Sequence, residues 1–81
     1  FVEARANLGC VLAETGDREL AVAAFEGALQ FHVDYADVHY HLARTLDELG
    51  RTSSAESHWR AFLRLAPDSP WADEARERLG I

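Results

Sequence analysis

Apolar residues recur along the chain at helical rather than strand spacing. Leu8, Val11 and Leu12 form one stripe, and Ala21, Ala24, Phe25, Ala28 and Leu29 form the next. Steps of three and four residues place each set on one side of a helix. After Tyr35 the pattern begins again. A shift of 34 residues sets Leu8 on Leu42, Leu12 on Leu46, Gly16 on Gly50, Ala21 on Ala55, Phe25 on Trp59 and Leu29 on Leu63. A fixed period of this kind marks a repeated supersecondary unit, here two amphipathic helices.

The punctuation agrees with the period. Gly16 and Gly50 stand where a helix ends in a left-handed residue, a conformation that glycine adopts at little cost. Asp17 is placed to cap the second helix and Asp34 to open the third, while Ser53 with Glu56 forms a capping-box pattern for the fourth. Pro67 cannot continue the fourth helix, and Ser69-Pro70 followed by Asp73 and Glu74 signals a fifth. The expectation is an all-α chain of five helices near residues 2–15, 18–31, 36–49, 53–65 and 70–79. Gly9, Ala21, Ala43 and Ala55 are the small partners that let helices approach, and Phe25 and Trp59 the bulky fillers. Trp71 and Leu79 are expected to cover the open end of the second unit, whereas the first has no visible cap.

These residues carry a resemblance. Asn7-Leu8-Gly9, Gly16, Ala21, Phe25 and Ala28, then Leu42, Ala43, Leu46, Gly50, Ala55, Trp59 and Pro67, resemble the tetratricopeptide repeat, and the final helix resembles the capping helix that closes such arrays. The pattern departs at Arg5 and His39, where an aromatic residue is usual, at Val33 in place of proline, and at Phe62 in place of a small residue. The resemblance implies a short right-handed α-solenoid of helix-turn-helix repeats in a single domain over 1–81: repeat 1 about 2–35, repeat 2 about 36–69 and a capping helix about 70–79. It also implies a non-catalytic protein-protein interaction module that binds a peptide or helix in its concave groove. The alternative is a structural spacer or self-association element of a longer array.

Composition narrows the chemistry. With 81 residues and a net charge of −6, 14 acidic side chains against 8 basic ones, the chain would repel a phosphate backbone. A single cysteine cannot form an internal disulfide, which points to a reducing cytosol. No apolar run approaches the roughly 18 residues that a membrane-spanning helix needs. No methionine opens the chain, which is expected to be a segment of a longer protein. Four histidines and Cys10 raise the question of a metal, but His39 and His41 point about 200° apart on a helix. His32, His58 and Cys10 lie on other elements at no ligand spacing, so neither metal nor cofactor is expected. Cys10 lacks a basic neighbour to activate it. Asp47 and Glu48 read as a solvated helix end rather than an acid/base pair, and no phosphate loop or nucleophile elbow is present, so no enzyme is expected.

One further stripe is left unexplained by the core. Asp37, Tyr40, His41, Arg44 and Glu48 share a face of the third helix, bordered by Asp47, and the equivalent face of the first carries Glu3, Ala6, Asn7, Cys10 and Glu14. The resemblance implies that these faces line the groove. Tyr40, beside His41 and Arg44, is the expected anchor. Some relatives hold a C-terminal carboxylate with lysines, asparagines and an arginine; here only Asn7 matches, Ala6, Cys10 and His41 stand elsewhere in that set, and the chain has no lysine. With Arg44 alone against five carboxylates, the expected partner is a protein or peptide of basic or mixed charge. Glu14 with Arg18 and Glu74 with Arg78 read as surface pairs worth a few tenths of a kcal/mol.

Overall fold

Helical periodicity, glycine stops and small residues at the seams lead to five helices in the computed structural model, which describes residues 2–81. They are α1 (Val2–Glu14), α2 (Arg18–Phe31), α3 (Ala36–Glu48), α4 (Thr52–Leu65) and α5 (Ala72–Leu79), with no strand among the described residues. α1 pairs with α2 and α3 with α4, α2 packs on α3 and α4 on α5, and α1 also adjoins α3. The first helices of the two units therefore stand side by side.

The stops behave as the sequence predicts. Gly16 has φ +92° and Gly50 φ +79°. At the first stop the Gly16 amide donates to Ala13 O at 3.2 Å and the Asp17 amide to Leu12 O at 2.8 Å. Gly50 and Arg51 repeat this on Asp47 O and Leu46 O. These are the paired bonds of a Schellman end, which satisfy carbonyls that the helix leaves open.

The starts differ from expectation. Asp17 occupies the N-cap of α2, but its side chain makes no cap bond. Tyr35, not Asp34, precedes α3, and Arg51 precedes α4, so Ser53 lies inside the helix and no capping box forms. The N-cap carbonyls accept the first intrahelical bonds, from the Ala21 amide to Asp17 O and from the Ala55 amide to Arg51 O, and the amides of the first turn have no side-chain cap. The fifth helix begins at Ala72 rather than at Pro70, because residues 70–71 form a turn in which Ser69 Oγ accepts from the Trp71 amide at 3.1 Å.

The core follows the small-beside-large pattern. Phe25, Trp59, Phe62 and Leu42 are enclosed among Ala21, Ala28, Ala43 and Ala55, all at 0–1% exposure. Phe62, at a place where the first unit has Ala28, fits beside Tyr40, whose ring centroid is 5.4 Å away. α5 buries only two alanines, Ala72 and Ala75, and so leaves volume for larger residues of α3 and α4. The repeat is not symmetrical in burial. Leu8 is 53% exposed whereas Leu42 is fully buried, because α2 packs on α3 and, among the described residues, no helix covers the matching face of α1. Val11 is exposed for the same reason.

Two glycines separate packing from backbone effects. A Cβ at Gly9 would lie 2.6 Å from Cε1 of Phe25, a ring with no room to move, whereas one at Gly27 would meet only the tip of Arg5 at 2.9 Å. Overpacking costs about 1–3 kcal/mol, against the ~1 kcal/mol that alanine gains over glycine inside a helix. Gly9→Ala is therefore expected to destabilise the chain and Gly27→Ala to stabilise it, as read from urea midpoints. Midpoints that moved in the same direction would show that propensity outweighs the Gly9–Phe25 contact.

Candidate functional site

The side-by-side placement of α1 and α3 brings residues 34 apart onto one concave face. Cys10, Ala13 and Glu14 of α1 and His41, Arg44, Thr45 and Glu48 of α3 line a recess of about 250 Å³ floored by Phe25 of α2. The imidazole of His41 lies flat over Phe25, 6.0 Å between centroids at 13°. Five of the sequence-predicted residues thus converge: Cys10, Glu14, His41, Arg44 and Glu48. Glu3, Asn7 and Asp37 are exposed on the same helices but do not line the recess.

Two predicted residues belong elsewhere. Tyr40 is only 4% exposed. Its ring stacks on Trp71 at 4.5 Å and meets the edge of Trp59 at 5.5 Å, and its hydroxyl donates to Glu74 Oε1 at 2.6 Å. α5 lies over it. Ala6, its equivalent one period earlier, is also buried, on the helix that α3 adjoins. This register position on a first helix therefore packs within the stack, and Tyr40 is no open anchor. Asp47 is likewise engaged, since its Oδ2 accepts from Trp59 Nε1 at 2.8 Å and from Arg78 Nη1 at 3.0 Å.

Charge in the recess is less lopsided than the sequence implies. Arg18 pairs with Glu48 at 3.5 Å rather than with Glu14, because the turn at Gly16 carries it toward α3, and Arg44 lies 3.9 Å from Glu74. The expected Glu74–Arg78 pair is present at 3.5 Å. Unengaged carboxylates still set the local field. Partial burial pushes the Cys10 thiol up from its ordinary pKa, and the charges of Glu14 and Asp37 push it further the same way. Cys10 therefore stays protonated and is no activated nucleophile. Burial lowers the pKa of His41, with Asp37 opposing and Arg44 assisting.

Thr45 and Phe25 were not foreseen as lining the recess, since Phe25 reads from the sequence as a core filler. Thr45 lies seven residues after Val38 on a face that reads as core, and its hydroxyl is turned back to His41 O at 2.8 Å. Among the described residues no group of three or more potential ligands could hold a metal ion, and no helix is long and apolar enough to cross a membrane.

Comparison with known proteins agrees with this architecture. The family described as Tetratricopeptide repeat matches residues 12–79, from the end of α1 through α5. No curated protein matches the chain.

Proposed function

Because the chain belongs to the tetratricopeptide-repeat family, whose members serve generally as protein-interaction modules, we propose that it holds an extended peptide or a helix of a partner protein against the α1–α3 face. The observation that carries this reading is the convergence of Cys10, Glu14, His41, Arg44 and Glu48 on one open recess from helices 34 residues apart in register. Phe25 and the flat face of His41 supply apolar floor, and carboxylates stand at the rim. Glu14 and Asp37 add a negative field to the burial that raises the Cys10 pKa, and that field favours a basic or mixed segment over an acidic one.

A peptide library with varied charge tests this, read by fluorescence anisotropy at two salt concentrations. Basic sequences are expected to bind more tightly and to weaken as salt rises. Glu14→Gln with Asp37→Asn, both exposed and outside the core, is expected to weaken basic peptides several-fold while leaving the far-ultraviolet circular dichroism unchanged. Tighter binding of acidic peptides, or no effect of the double substitution, counts against the reading.

A second reading has its own support. The exposed Leu8 and Val11 sit at places whose equivalents, Leu42 and Thr45, are buried on α3, the helix on which α2 packs. A face of that kind suits stacking against another helical unit, so the chain would act as a spacer or self-association element. Mass that rises with concentration in sedimentation equilibrium favours this reading; a constant monomer mass counts against self-association.

A further inference from the structure

Three elements meet at a pair of imidazoles away from the recess. His39 of α3 is 6% exposed, and its Nε2 lies 2.7 Å from the Val33 carbonyl oxygen in the turn between α2 and α3. Its Nδ1 lies 3.0 Å from Nδ1 of His58 on α4. A carbonyl only accepts, so Nε2 of His39 must carry a hydrogen. In neutral His39 the other nitrogen, Nδ1, is then a bare acceptor, and His58 must donate to it from Nδ1.

The proton count follows. One added proton fits on Nε2 of the half-buried His58, and the bond to His39 becomes charge-assisted. A second has only Nδ1 of His39 to occupy, where it would face the Nδ1–H of His58. Two donors cannot face each other at 3.0 Å, so the rings must part. We propose that His39 and His58 form an acid-sensitive latch that ties α4 to the Val33 turn through α3, closed with at most one added proton and opened by the second. Because that turn joins the two helical units, opening the latch loosens the joint between them.

The charges that face the pair are of both signs. Glu19 and Glu26 of α2, together with Arg51 ahead of α4, line the recess onto which His58 opens, and Arg51 is bonded to Glu19. The turn itself carries His32 and Asp34, both exposed, and α3 carries Asp37, also exposed, two residues before His39 and on the other side of the helix. Burial and then the charge of His39 lower the pKa of His58. The unfolded chain takes up two protons at these rings below an ordinary imidazole pKa of about 6.5, and the folded chain takes up one. Stability is thus held above that pH and lost as pH falls, by about tenfold in the folding equilibrium per pH unit for one missing proton.

The test compares urea unfolding of the whole chain with that of His58→Gln between pH 7.5 and 5. Glutamine presents both a donor and an acceptor to His39 and does not titrate; His41, also lowered in pKa, contributes equally to both chains and cancels. The wild type is expected to lose about tenfold more of its folding equilibrium than the variant between pH 6 and pH 5. Nitrogen-15 shifts of the wild-type rings give an independent readout that needs no variant: one ring of the pair is expected to protonate in the folded chain, with His39 keeping its Nε2–H. Equal pH dependence of the two chains, or both rings protonating at ordinary pKa values without loss of structure, would overturn the latch.

Discussion

Trp59→Ala is expected to lower stability by about 3–5 kcal/mol, the usual cost of removing a large enclosed aromatic side chain. A chain of this length commands about 4–12 kcal/mol in total, so the variant should be largely unfolded on warming. Trp59 is 1% exposed and is the largest fully buried side chain. It touches the edge of Tyr40, lies 5.6 Å beneath the Arg78 guanidinium, and donates to Asp47. Its removal therefore opens a void and takes a donor from a half-buried carboxylate at once. Trp59→Phe keeps most of the volume and loses the indole N–H, for which a hydrogen bond to a charged acceptor sets a cost of about 1.5–3 kcal/mol. Urea denaturation followed by circular dichroism decides the order. An alanine variant that lost under about 1 kcal/mol would mean that the α3–α4–α5 junction is not closed around the indole.

Tyr40→Ala is expected to undock α5. The phenol ring is the surface on which Trp71 stacks, and its hydroxyl, with Arg44 and Arg78, holds Glu74. A loss of about 3 kcal/mol is anticipated, in the range for truncating buried aromatics. Its location is more diagnostic than its size. Hydrogen exchange should rise through α5 while α1 and α2 keep their protection, since stability in stacked helical units is carried by neighbours. Tyr40→Phe retains the stack and gives up one hydroxyl bond, about 0.5–1.5 kcal/mol. Uniform loss of protection in the alanine variant would show that the five helices unfold as one unit. Either way, a partner lost on Tyr40 substitution would report a displaced α5 rather than a removed contact.

The contrast between Tyr40 and Leu42 shows what the sequence contains. Leu42 sits in a stripe repeated at Leu8, and periodicity alone places it against α2. Tyr40 sits on the opposite side, where its exposure is decided by whether a third first-type helix lies beside α3. α5 starts two residues later than expected, has only eight residues, and presents alanines where its predecessors carry larger groups, so nothing in the repeat announces that it reaches Tyr40. Leu8 fails in the reverse sense, being identical to Leu42 in pattern yet uncovered. The glycine stops were legible because positive φ is a property of one residue. The caps were not, because a cap depends on which residue stands at the helix boundary and on its rotamer: Tyr35 and Arg51, not Asp34 and Ser53, precede their helices, and the Asp17 side chain makes no cap bond. His39 and His58 lie 19 residues apart on different elements, and no period connects them.

Each helix packs mainly against the one before and the one after it, and the skips are short ones, from α1 to α3 and from Tyr40, Arg44 and Asp47 of α3 to α5. The entropy lost in closing each contact is therefore small, and the chain belongs with topologies that fold in microseconds to milliseconds. Any adjacent pair can serve as the starting point, with the others added from either side. Pulling on the two termini should accordingly peel helices away in sequence, at low force and in steps, rather than rupture the molecule in a single event.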